Sequence, residues 1–377
     1  MMRLVWVLCC VALVSRGACG EPGTVVLRGG AEFQASEIVA EAGALTCTID
    51  GELRVFGWHE VALVRGPMAD QVEVYLPIAE SAWRGLARLA RDDRVASEAE
   101  LETIFDQLSA QINPTASAVA QGLLACRLAR GAQAIAVEPM LTVVANDSAT
   151  ADLPTIKGAQ PLDPTFGLCS SLAPIWGTDA GLASMVGSIS REDFTIWGRE
   201  TKAEQLARLY SAAAQFELGS PATLAPVTPV DAGVKFVQEI VLARAGDAEQ
   251  RLSARSALGD RLGAKGLPDW QSAWIHASLG LSLIQEPDEH ETRLGIVELL
   301  YVPAVYAQSE PYLAGVCLSE AAIKLAELGR EDAARTLALE LERTYAQHPS
   351  LERPGIRRLV ELAREQRTPT LPKKEGS

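Results

Sequence analysis

The chain has 377 residues, 48% of them apolar and 22% charged, and 48 acidic residues against 34 basic ones give a formal charge of -14. An acidic chain repels polyanions, and nucleic-acid binding rests on clustered Lys and Arg that displace counterions, so DNA and RNA are excluded as partners. The apolar fraction can fill substantial cores, and at roughly 150 residues per domain the length corresponds to two or three units.

The first residues, MMRLVWVLCCVALVSRGACGEP, place one positive residue, Arg3, before a mostly apolar run from Leu4 to Val14 and a small-residue zone ending Ala18-Cys19-Gly20. That is the layout of a secretory signal peptide over residues 1–20, and it predicts export to the periplasm or cell envelope. A membrane span takes roughly 20 apolar residues, more than this run or any later one offers, so no span is expected. A lipid anchor at Cys19 is disfavoured, because Arg16 stands where such signals carry a Leu-like residue. Loss of Arg3 and Arg16 with the leader takes the formal charge from -14 to -16. Beyond the leader lie Cys47, Cys126, Cys169 and Cys317, scattered and without CxxC or Cys/His spacing, unlike a disulfide-stapled miniature or a zinc site. Cys126 and Cys317 have apolar helical neighbours and read as buried thiols, while an oxidising compartment would also admit one disulfide.

Residues 21–66 read as a small β-module of four or five short strands. Gly29-Gly30, Ala42-Gly43 and Asp50-Gly51 divide it into runs with apolar residues at every second position, such as Leu45, Cys47 and Ile49. Asp50-Gly51 suits a two-residue hairpin turn. After Pro67 the apolar spacing becomes helical. Residues 67–145 form a first block of helical hairpins, 146–167 a loop bearing Pro and Gly, 168–218 a degenerate helical segment, and 219–231 a linker. Helical pairs and a capping helix, PGIRRLVELAREQ, fill 232–366 before a flexible tail at 367–377.

The pairs have a common form. Leu313, Val316, Cys317, Ala321, Leu325 and Leu328 share one helix face behind an N-cap near Ser309 and a first-turn Pro311. Gly329 ends that helix, Glu331 and Asp332 favour the start of the next, and Ala334, Leu337, Ala338, Leu341 and Tyr345 share its face. Comparable turns fall near Asp92, Gly131, Gly246 and Glu286. The separations from 92 to 131, 246 to 286 and 286 to 329 are 39, 40 and 43 residues. Two helices per period of that size are the signature of an α-solenoid, so the expected fold is mainly α, with a small N-terminal β-module.

The unit from Leu318 to Pro349 resembles a tetratricopeptide (TPR) repeat. Leu318 takes the large first-helix position, Ala321 and Ala322 the packing pair, Leu325 the next core position, Gly329 the turn, Ala334 the small second-helix position, and Ala338 and Leu341 the later core positions. It departs from the family in replacing the Trp, Gly and Tyr of the first helix with Leu and Ala, in its late Pro349, and in a period above the usual 34. The whole chain is similar to uncharacterised exported bacterial proteins in which a strand-rich module precedes such repeats. The TPR resemblance implies a groove for a peptide or protein partner, lined in the last unit by Val316, Ser319, Ile323, Ala326 and Glu327. A partner's apolar segment, or a neighbouring helix of the same chain, would fit these apolar or acidic positions.

Catalytic patterns are absent from the sequence: there is no Lys-bearing phosphate loop, GxSxG, HExxH, SxxK or dinucleotide fingerprint, and no cofactor or metal is expected. GTDAGLAS at Gly177 reads as a Gly-rich helix junction. Asp288, Glu289, His290 and Glu291 read as a solvated helix start, since consecutive helical residues point apart and cannot converge on a cation. Trp270 and Trp274, four apart, read chiefly as packing anchors, with a ligand-stacking pocket as the alternative. The functional expectation is a scaffold or interaction protein. The competing expectation is an enzyme with a site near Trp58, His59 and Trp83.

Overall fold

The alternation and turn chemistry of the N-terminal residues produce six strands. The computed structural model describes residues 22–147, 156–159, 161–177, 181–220, 224 and 228–367; residues 1–20, expected to be a signal peptide, and with them Cys19, lie outside these residues, as do most of the tail, Thr178–Ala180 of the Gly-rich junction, and parts of the loop and linker. Strands β1 (Gly23–Leu27), β2 (Glu32–Ala35) and β6 (Val61–Arg65) form one antiparallel sheet in the order β2-β1-β6. Strands β3 (Glu37–Glu41), β4 (Ala44–Ile49) and β5 (Glu52–Phe56) form another in the order β3-β4-β5. The stretch AEFQASEIVAE, one run by periodicity, is divided between the sheets at Ser36, whose N–H donates to Thr48 O at 2.9 Å. Leu45, Cys47 and Ile49 are buried as their alternation requires. Asp50 and Gly51, at φ 53° and 83°, close the β4–β5 hairpin with Ile49 opposite Glu52.

The chain divides into two compact units, the first comprising residues up to Trp83 together with Asn113–Thr115. Within it, helix α1 (Ala69–Glu73) follows the strands, and Trp58 is fully buried. The Trp58 N–H donates to Thr115 Oγ1 at 2.8 Å and its indole N–H to Glu41 O at 2.8 Å. Thr115 in turn donates to Gly43 O at 2.5 Å, so one hydroxyl ties two turns.

Helix α2 (Leu76–Leu89) leads into the second unit, which is helical: α3 (Arg94–Leu108), α4 (Pro114–Ala129), α5 (Gln133–Asp147), α6 (Leu182–Ile189), α7 (Lys202–Glu217), α8 (Ala232–Ala245), α9 (Ala248–Leu262), α10 (Asp269–Leu283), α11 (Glu289–Val305), α12 (Pro311–Glu327), α13 (Glu331–Thr344) and α14 (Pro354–Arg367). The turns expected at Asp92, Gly131, Gly246, Glu286 and Gly329 separate α2/α3, α4/α5, α8/α9, α10/α11 and α12/α13. At Gly329, φ is 70°, its N–H reaches Ala326 O at 3.0 Å, and that of Arg330 reaches Leu325 O at 2.8 Å. This double closure satisfies carbonyls a helix end would leave open. Gly131 repeats the arrangement, and so does Asp92 despite its side chain.

Helices α8, α10, α12 and α14 each pack on the next, and α9, α11 and α13 each pack on the helix that follows. This nearest-neighbour order is consistent with stacked helical pairs. A continuous core runs through Leu124, Val137, Leu206, Val237, Trp274, Leu299 and Val316. A second cluster joins Leu318, Ala322, Ala334, Ala338 and Leu341 to Ile356 and Val360 of α14. No helix among the described residues is long and apolar enough to cross a membrane.

Candidate functional site

Turns of the helical unit converge on a cavity of about 690 Å³, within the roughly 300–1,000 Å³ range of small-ligand sites. Its walls come from the end of α4 and the turn to Gln133, from Gln308 to Tyr312 before and into α12, and from Tyr345 to Pro349 after α13. Arg94, Gly158 and Ser171 complete it.

Local sequence explains the most unusual wall residue. Pro311 occupies the first turn of α12, and the residue before a proline is held out of the α region. Glu310 therefore sits at the cap position with φ -129° and ψ 59°, and its side chain makes no capping bond. Its backbone is satisfied, with N–H donating to Tyr306 O at 2.8 Å and the carbonyl accepting from Ala314 N at 2.9 Å. The residue is only 6% exposed, and its side chain makes no hydrogen bond or ion pair among the described residues. Burial pushes its carboxyl up to about 8, because the charged form loses its hydration without gaining a partner. Gln133, equally deep at 4% exposed, leaves its Oε1 without a hydrogen-bond partner.

His348 closes the other side. Its Nδ1 accepts from Ser350 N at 3.1 Å, which places the ring proton on Nε2, donating to Tyr312 O at 2.9 Å. Burial holds the imidazole at about 4, so it is neutral at physiological pH. The ring lies 4.9 Å from that of Tyr312 and 6.4 Å from that of Tyr345. Gly315 permits this seat, since a Cβ there would fall 2.5 Å from His348 Cδ2. Arg130 and Arg94 also line the cavity, but each already has an acid. Arg130 forks onto Glu98 at 2.7 and 2.9 Å, and Arg94 Nε meets Asp92 at 2.8 Å. The wall thus offers acceptors without counter-charge, aromatic faces, and no imidazole nitrogen free to act as a base.

The residues singled out by sequence lie elsewhere. Val316 and Ser319 are fully buried, and Ser319 Oγ accepts from Arg353 Nη1 at 3.1 Å. Ile323 and Ala326 pack against the cluster that includes α14. Glu327 is exposed and paired with Lys324 at 3.1 Å. Ile323 and Ala326 thus face the chain's own last helix, Ser319 is held by Arg353, and Val316 belongs to the main helical core, so these four positions are engaged within the chain. Trp270 and Trp274 pack against each other and against Phe236, whose ring stacks on Trp274 at 5.8 Å. Trp274 is fully buried with its indole N–H on Ser170 O at 3.0 Å, which removes it from any ligand surface.

Asp288 caps α11 by accepting from His290 N, with Glu289 and Glu291 in the first turn, as a helix start requires. The N-terminal candidates have separate surroundings. Trp58 is core, Trp83 lies under the Arg28 guanidinium at 4.4 Å, and His59 is held at about 4 by burial with Nδ1 unbonded. Cys47, Cys126, Cys169 and Cys317 are free and buried. Burial pushes the Cys169 thiol up to about 12, the state of an unreactive packing residue. Sequence reasoning passed over Glu310 because it lies in a turn; an acid immediately before a helix-initiating proline was the available signal. No protein-family model, characterised protein or solved structure matches the chain.

Proposed function

We propose that this chain is an exported helical-repeat protein of the bacterial cell envelope, acting as a scaffold or interaction component that holds a peptide or protein segment in the turn-lined cavity. The observation that carries this reading is the pairing of a cavity of about 690 Å³ with two deeply buried polar groups, the Glu310 carboxyl and Gln133 Oε1, that have no hydrogen-bond partner among the described residues. Leaving such groups unsatisfied costs about 1–3 kcal/mol each, and a ligand that meets them offsets that cost. Export is supported by the leader-like N-terminal sequence, and the repeat reading by the TPR-like register from Leu318 to Pro349. The nearest-neighbour packing of the later helices also supports an α-solenoid.

A photo-reactive phenylalanine analogue incorporated at Gln347, an exposed residue on the cavity wall, tests the reading. The same analogue at Leu252, exposed on α9, serves as the comparison. A discrete cross-linked species in envelope preparations from position 347 alone is the expected result. Equal labelling at both positions, or none at 347, would contradict it.

A further inference from the structure

The cavity's chemistry narrows what it holds, and this step rests on the reading just given. Among its side chains, the two Glu310 oxygens and Gln133 Oε1 are acceptors with no hydrogen-bond partner among the described residues, and the buried Tyr312 hydroxyl can accept as well as donate. A ligand that satisfies acceptors must donate, and a primary ammonium offers three donors and no acceptor. Anions find no unneutralised positive charge, because Arg130 and Arg94 are committed to Glu98 and Asp92. His348 is neutral and both its nitrogens are engaged. The Tyr345 hydroxyl and the Cys169 thiol are held protonated by burial and supply no competing charge. The rings of Tyr312 and Tyr345 offer aromatic faces of the kind that attract a cation, while Leu128 and Pro311 suit an apolar stem.

We infer that the cavity recognises a primary ammonium carried on an apolar stem, with the Glu310 carboxylate as its counter-charge and Gln133 Oε1 as a second acceptor. The ammonium could arrive as a free alkylamine or as the lysine side chain of a bound peptide. In the empty cavity the Glu310 carboxyl is mostly protonated at neutral pH. Ammonium binding stabilises the ionised form, so the carboxyl proton leaves to solvent while the amine keeps its charge.

Titration of the full chain with n-butylammonium and with Ac-Ala-Lys-Ala-NH2 tests this against n-butanol and the norleucine peptide Ac-Ala-Nle-Ala-NH2. The expected result is a preference of about tenfold or more for each cationic probe over its neutral control. Calorimetry in buffers of different ionisation enthalpy should show release approaching one proton per ligand at pH 7. Glu310→Gln, which keeps the side chain's shape, should abolish both the preference and the release. Binding of butylammonium without the lysine peptide would retain the ammonium site and overturn the peptide reading. Equal binding of the lysine and norleucine peptides would do the reverse. Binding of no probe would overturn both, and an unchanged preference in Glu310→Gln, folded by thermal melting, would overturn the assignment of Glu310.

Discussion

A carboxyl that ionises near 4.5 in the unfolded chain and near 8 in the folded one, as Glu310 does, holds its proton more tightly when folded. Its stabilising contribution is complete below pH 4.5 and is lost as pH rises through 8. At about 1.4 kcal/mol for each pH unit between the two values, with relaxation of the site reducing the total, the loss is on the order of 3 kcal/mol. His348 has the opposite sign. Its value falls from 6.5 to about 4, so its contribution is present above pH 6.5 and lost as pH falls through 4. Denaturant unfolding of Glu310→Gln across pH 5 to 8.5 should lose the fall in stability that the Glu310 carboxyl imposes from pH 5 to 8, while keeping the His348 dependence below pH 6.5. A profile identical to the parent's would contradict the buried, unpaired state. Two substitutions on α13 separate packing from surface charge. Ala334→Glu places a charge at a fully buried position and should cost about 3 kcal/mol or more. Glu331→Gln, at an exposed first-turn acid near Arg335, should cost only about 0.5 kcal/mol in the same assay.

Helix ends were the elements most open to reading, because Gly, Pro and first-turn acids act through local backbone chemistry. Gly329, Gly131 and Asp50-Gly51 all adopt the positive φ that their positions demand. The start of α12 was misplaced by one residue: Glu310, not Ser309, holds the cap position, and the Ser309 hydroxyl donates back to Tyr306 O. The covering of Ile323 and Ala326 was not legible, since it depends on where α14 docks, a contact between distant segments that periodicity does not encode. Close approach of α10 and α11 was equally hidden. A Cβ on Gly280 would fall 2.9 Å from Gly295 O and 2.6 Å from the buried Leu299 side chain. Gly280→Ala should therefore separate the two helices and cost about 1–3 kcal/mol. Gly259, exposed in α9 with nothing within 4 Å of its added Cβ, gives the opposite sign. Gly259→Ala should stabilise by about 0.5–1 kcal/mol, and thermal melts of the two variants moving in the same direction would refute the packing argument.

Across the whole molecule, composition and periodicity revealed the mainly helical character and the N-terminal strands, because both depend on short-range pattern. The cavity lay beyond that reach. Its walls are turns drawn from residues 94, 125–133, 308–312 and 345–349, none of which carries a recognisable motif. A chain of formal charge -14 also favours encounter with cationic partners, and that attraction weakens as salt screens it. The most direct test of a partner held among the helical turns is hydrogen exchange on the chain with and without saturating Ac-Ala-Lys-Ala-NH2. The account predicts slowed exchange at 125–133, 308–312 and 345–349, with the amides of α9 unchanged. Unchanged exchange at those three segments, or protection confined to α9, would contradict it.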